Sequence, residues 1–160
     1  MRTETITIYT FEELPTDDAK ERARDWWRSA STEMDWADEA LDSIKTFCGH
    51  FGVTLREWSV GPYSPFDYTT DAENHHFRGR KLRQFRRDHM PTGYCLDCDL
   101  WITFYDEFKR TGDAKGAFDA ALHQGFKAWR DDMEGQLEDD YIDECLIANE
   151  YEFDEDGRRV

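Results

Sequence analysis

The sequence predicts an α+β fold: a small antiparallel sheet packed against several helices, ending in a long acidic helical region. Three observations carry that expectation. Short runs of β-forming residues open the chain, recur in its middle and return near its end. Apolar residues elsewhere repeat at three- and four-residue steps. No internal repeat, low-complexity linker or clean boundary divides the 160 residues, so one domain over residues 1–160 is expected. With 39% hydrophobic and 15% aromatic residues the chain can build a core, despite a mean hydropathy of −0.88.

Thr3-Glu4-Thr5-Ile6-Thr7-Ile8-Tyr9 alternates and reads as an opening strand. Thr16 after Pro15 is an N-cap, and Asp17 and Asp18 suit the positive end of the helix that follows. That helix turns Ala19, Ala23, Trp26 and Trp27 inward and Lys20, Glu21, Arg24 and Arg28 outward. A second helix over Asp35 to Phe47 aligns Trp36, Ala40, Leu41, Ile44 and Phe47, with Gly49 and Gly52 as stop signals. Val53 to Val60 and Phe66 to Thr70 read as strands around Gly61-Pro62-Tyr63-Ser64-Pro65, and Asn74 to Met90 as a helix. Leu96 to Lys109 is ambiguous, with Leu100, Trp101, Phe104 and Phe108 helical in spacing but a strand-like Trp-Ile-Thr-Phe-Tyr run. From Asp113 or Ala114 a long stripe runs through Phe118, Leu122, Phe126, Trp129, Met133, Leu137 and Tyr141, with Gly125 and Gly135 as points for a kink or a split. Tyr151-Glu152-Phe153 reads as a short strand entering a turn, where Gly157 can take positive φ.

The formal charge is −16, from 20 basic and 36 acidic side chains. It is unevenly placed: −6 over residues 1–50, +2 over 51–90 and −12 over 91–160. Asp131 to Asp156 holds thirteen carboxylates and no Lys or Arg. Such a molecule repels nucleic acid and anionic membrane at long range and favours a basic partner. No apolar run reaches the roughly 18 residues a membrane span needs. The opening residues do not read as a secretion leader, so a reducing cytoplasm and free thiols are the expectation.

Few motifs carry chemistry. Cys95-Leu96-Asp97-Cys98 with Cys48-Gly49-His50 would make a zinc set of Cys48, His50, Cys95 and Cys98, but small buried thiols explain these residues more simply. The C-x-x-C lacks the Trp and Pro of a thioredoxin context. His75-His76 diverge by about 100° on a helix and do not chelate one ion. Asp97 and Asp99, and Glu107-Phe108-Lys109, lack the companion residues of a phosphate or nuclease site. No catalytic residue or cofactor is assigned, and the chain is read as a non-enzyme.

Two charged segments remain. Arg78, Arg80, Lys81, Arg83, Arg86 and Arg87, with Phe77 and Phe85, suit phosphate contact and base stacking, or self-association into a homodimer through the acidic end. The net charge makes direct nucleic-acid binding the weaker reading. On a helix, Asp131, Glu134 and Glu138 share one face, as do Asp139 and Asp143. Like charges at these spacings weaken a helix by a few tenths of a kcal/mol per pair. A rigid row of carboxylates can imitate the phosphates of a duplex, which fall about every 1.7 Å.

Ile8-Tyr9-Thr10-Phe11-Glu12-Glu13-Leu14 with Ala19-Lys20-Glu21-Arg22-Ala23 resembles small phage and prophage proteins that open Y-T-F-(D/E)-E-L…A-K-x-x-A. Ala148-Asn149-Glu150-Tyr151-Glu152-Phe153-Asp154-Glu155-Asp156-Gly157 resembles the A-N-E-Y-E-F-x-E-D-G tail of the same group, some of which are labelled toxin–antitoxin components. The resemblance transfers no catalytic residue; it implies expression from a mobile element in a bacterial cytoplasm. The expected function is then a phage-encoded acidic inhibitor of a host nucleic-acid-binding defence system, of anti-CRISPR or antirestriction type. Its partner is a basic host protein or nucleoprotein complex, met by Asp131, Asp132, Glu134, Glu138, Asp139, Asp140, Asp143 and Glu144. The alternative is a nucleic-acid-binding regulator or antitoxin acting through residues 78–87.

Overall fold

The computed structural model describes residues 7–30, 37–72, 77 and 90–160. The α+β class holds, with five helices and two separate two-stranded antiparallel sheets among the described residues, where one small sheet is expected from sequence. Contacts group the chain into two units, residues 1–34 with 135–160 and residues 35–134. The helix expected over Asn74 to Met90, Phe77 and Met90 themselves apart, lies outside the described residues, as do His75-His76, Trp36 and most of the opening strand.

The first unit joins the two ends of the sequence. Strand β1 (Tyr9–Thr10) pairs antiparallel with β4 (Glu152–Phe153), in the register Tyr9 to Phe153 and Thr10 to Glu152. A short 3-10 turn, Phe11–Glu13, leads to helix α1 (Asp17–Ala30). Thr16 caps α1 as its sequence predicts, its Oγ1 accepting the Ala19 N–H at 3.1 Å. Phe11, Leu14, Ala19 and Ala23 bury against Phe153 and against Ile142 and Leu146 of helix α5 (Asp139–Ala148). Trp26 meets Tyr151 edge-on at 5.2 Å, and Arg159 covers the Tyr151 ring at 4.9 Å. Apolar residues from the two ends of the sequence thus share one core.

The close approach at Gly157 explains why no side chain stands there. Its φ is +80°, and a Cβ would lie 1.9 Å from the Ala19 carbonyl oxygen. Ala19 in turn is almost fully buried.

The second unit is organised around Phe47 of helix α2 (Ala37–His50). Its ring stacks on Phe118 at 5.4 Å and meets Trp101 edge-on at 5.0 Å. Gly52, at φ +72°, ends α2, while Gly49 stays inside it. Strands β2 (Leu55–Ser59) and β3 (Asp67–Thr70) form a hairpin in which Leu55 alone of β2 is buried. Residues 96–109 are helical within α3 (Leu96–Thr111), because Leu96, Leu100, Trp101 and Phe104 bury together while Tyr105 stays exposed. A strand would put Trp101 and Phe104 on opposite faces. Gly112 at φ +71° closes α3.

Helix α4 (Ala114–Gly135) carries the apolar stripe from Phe118 to Trp129. Gly125 does not break it: the missing side chain admits Leu100, whose Cδ2 would sit 2.4 Å from a Cβ. The break comes at Gly135, so Leu137 and Tyr141 do not continue the stripe on one helix, and Tyr141 is exposed.

A buried polar network pins the turn before α3. Asp97 is fully buried, and its Oδ2 accepts the Thr92 N–H at 2.8 Å, the Thr92 hydroxyl at 2.9 Å and the Gly93 N–H at 3.1 Å. The Thr92 hydroxyl also meets Ser43 of α2 at 2.8 Å. Asp97 is therefore structural, consistent with its lack of a phosphate loop. Asp97→Ala orphans two backbone donors and is expected to cost about 1–3 kcal/mol for each left unsatisfied. Gly157→Ala should lose at least about 1–2 kcal/mol from the left-handed backbone alone. Urea unfolding of each variant measures both.

Candidate functional site

The carboxylates predicted to meet a partner fall in two groups. Asp131, Asp132 and Glu134 lie on the last turns of α4 in the second unit, and Glu138, Asp139, Asp140, Asp143 and Glu144 lie on or just before α5 in the first. The expected face of Asp131, Glu134 and Glu138 does not exist. Gly135 ends the helix, and Glu138 is the extended N-cap residue of α5, with φ −71° and ψ 144°. Asp139 and Asp143 do share a face, but that face is turned to α1.

Arg24 and Arg28, expected to point outward, hold that face. Arg24 grips Asp143 with two parallel bonds, Nε to Oδ1 at 2.7 Å and Nη2 to Oδ2 at 2.8 Å. Its Nη1 bonds Glu21 at 3.1 Å and lies 3.8 Å from Asp139. Arg28 hydrogen-bonds Asp139 and also holds Glu21 at 2.9 Å and Asp25 at 2.8 Å. Bonding to Asp143 raises the Arg24 value further above its ordinary range, and bonding to Glu21 does the same for Arg28. Glu21 is held below the ordinary carboxylate value of 4.5 by hydrogen bonds from Arg28 and then Arg24. Two guanidinium groups thus serve four carboxylates.

On α4 the same economy operates locally. Lys127 and Arg130 bond Asp131, which lowers its value from 3.8, Lys127 being the larger cause. Glu134 lies 3.5 Å from Arg130 and accepts the Tyr63 N–H at 2.9 Å. That bond supports Tyr63 at φ 57°, an uncommon backbone for a side chain of its size.

Asp140 and Glu144 remain. Both are exposed, both lie on α5 at i and i+4, and neither has an ion-pair partner among the described residues. Asp132 and Glu138 are exposed as well. The first unit as a whole carries seven basic and eighteen acidic side chains, a net −11 in 60 residues.

The zinc set is not assembled: among the described residues no three His, Cys, Asp or Glu side chains are placed to hold a metal. Cys48 is fully buried, and burial followed by the charge of Asp71 pushes its thiol up to about 12. His50 packs edge-on against Trp101 at 5.2 Å. An open recess of about 210 Å³ is lined by Glu39, Asp42, Thr92, Gly93 and Tyr94. Burial raises the Tyr94 phenol to about 12, helped by Asp132, Cys95 and Glu39, so it stays protonated at neutral pH. The basic residues Arg78, Arg80, Lys81, Arg83, Arg86 and Arg87 lie outside the described residues. No helix among those described is long and apolar enough to cross a membrane.

No protein-family model matches the chain, and no curated protein or solved structure matches it significantly.

The Arg24 and Arg28 clamp is testable by stability. Arg24 and Asp143 side chains are 20% and 27% exposed, between surface and buried pairs, so Arg24→Ala should cost about 1–2 kcal/mol. A depressed carboxylate such as Glu21 contributes stability above its unfolded value and loses it as the pH falls. The difference in Tm between the wild type and an Arg24→Ala/Arg28→Ala variant should therefore be full at neutral pH and shrink below pH 4.5, the ordinary Glu value.

Proposed function

We propose that the chain is a non-enzymatic, phage-encoded inhibitor that docks on a basic surface of a host nucleic-acid-binding defence complex. The observation that carries this reading is the division of labour on α5. Asp139 and Asp143 are neutralised by Arg24 and Arg28, whereas Asp140 and Glu144 face solvent on the same braced helix. A carboxylate on a formed helix loses little backbone freedom on meeting Lys or Arg, and the −11 of the unit steers a cationic partner toward it. The partner-facing set is narrower than the eight residues taken from sequence. Within the first unit Asp140 and Glu144 lead it, with exposed Glu138 at the N-cap of the same helix, while Asp139 and Asp143, and in the second unit Asp131 and Glu134, maintain the local structure.

Expression in bacteria that carry a restriction or CRISPR nuclease should raise phage plating efficiency, and the purified chain should protect target DNA from the same nuclease. Asp140→Lys/Glu144→Lys should abolish protection with an unchanged unfolding curve. Raising the salt from about 0.05 to about 0.5 M should weaken binding at least about tenfold, since exposed charges are then screened within a few Å. Protection that survives both the charge reversal and the salt rules out recognition by these carboxylates. Retardation of random DNA by the chain itself, with no protection, selects the alternative regulator acting through Arg78–Arg87.

A further inference from the structure

We propose that Cys95, Cys98 and Met90 form a binding site for a soft monovalent metal ion, Cu(I). The site lies in the second unit, at the N-terminus of the 16-residue helix α3. Cys95 is the N-cap residue and already has helical dihedrals, φ −58° and ψ −29°, and its carbonyl accepts the Cys98 N–H at 3.0 Å. Helical geometry then sets their Cα atoms about 5 Å apart, one turn along one face. The third sulfur comes from outside the helix: the Cys98 thiol donates to the Met90 Sδ at 3.2 Å.

The turn from Met90 into α3 is held by the core. Pro91 follows it, Gly93 takes φ +80°, and the buried Asp97 carboxylate holds the N–H groups of Thr92 and Gly93. Asp97 lies between the two cysteines in sequence, so one residue fixes both the loop and the helix that carry the sulfurs. Cys95 and Met90 are exposed and Cys98 is half-buried, which leaves a path for an ion. Binding would displace both thiol protons to solvent and leave two Cu–thiolate bonds and one Cu–thioether bond.

The donor set selects the ion. Among the described residues no three His, Cys, Asp or Glu side chains are placed to hold a metal, so the donors on the page are the sulfurs alone. Thiolate and thioether sulfur together suit Cu(I). Cys48 and Cys145 are the other free cysteines and serve as internal controls.

The test is anaerobic titration of the reduced full chain with Cu(I) against a chromophoric Cu(I) chelator, with X-ray absorption at the copper edge. One ion per chain should be retained, with three sulfur neighbours. Cys95→Ser and Cys98→Ser should each weaken retention by about 100-fold or more and Met90→Leu by about tenfold, the scale on which lost donors and their supports act. Cys48→Ser and Cys145→Ser should leave it unchanged. Met90→Leu conserves volume, so circular dichroism should show its fold intact. Failure to retain copper, retention in Cys95→Ser/Cys98→Ser, or an unchanged sulfur count in Met90→Leu would each overturn the site.

Discussion

Carboxylate repulsion is the constraint on which the first unit depends. With eighteen acidic and seven basic side chains, α1 and α5 can lie together only if cations stand where the acidic faces meet. Arg24 and Arg28 stand there, and the planar fork of Arg24 matches the Asp143 carboxylate with two bonds. A lysine at this position would supply the charge without the paired geometry. Beneath the clamp, Ala19 and Ala23 are small enough for α1 to sit close, and Ile142 and Leu146 fill the space from α5. Charge pairing at the rim and apolar contact beneath it therefore secure the same pair of helices.

The second unit is held differently. Phe47, Trp101, Phe104 and Phe118 make mutual edge and stacking contacts, so its stability rests on aromatic burial. Among its described residues the fully buried carboxylate is Asp97, on one oxygen of which three donors converge. The same network sets the path of the chain from Met90 into α3. A structural device in the core thereby sets the turn in which the Cys98 thiol meets the Met90 sulfur.

Much of the fold is legible in local pattern. Thr16 as a cap, the stripe from Phe118 to Trp129, the strand at Glu152–Phe153 and the positive φ of Gly157 all follow from short-range chemistry. The long C-terminal helical stripe was legible in kind but not in continuity. Gly125 and Gly135 look alike in sequence; only the presence of Leu100 against one and not the other distinguishes a packing glycine from a helix end. Residues 96–109 were ambiguous for a related reason, since a continuous apolar run fits either period until its neighbours choose a face.

By itself, then, the sequence determined the α+β class, the kinds and approximate limits of most elements, and the concentration of negative charge after residue 130. Those properties arise from periodicity, capping and composition, which act over a few residues. Tertiary structure decided which of the carboxylates are available. Asp143 is neutralised by an arginine 119 positions away, while Asp140, three residues before it, is left to solvent. It also decided that Met90 meets Cys98 and that Cys48 and His50 do not join them in a metal site. Ion pairing and soft-donor clustering are set by distances in space, and a linear pattern of residue types does not specify which distant groups will be brought within 3 Å or so of one another.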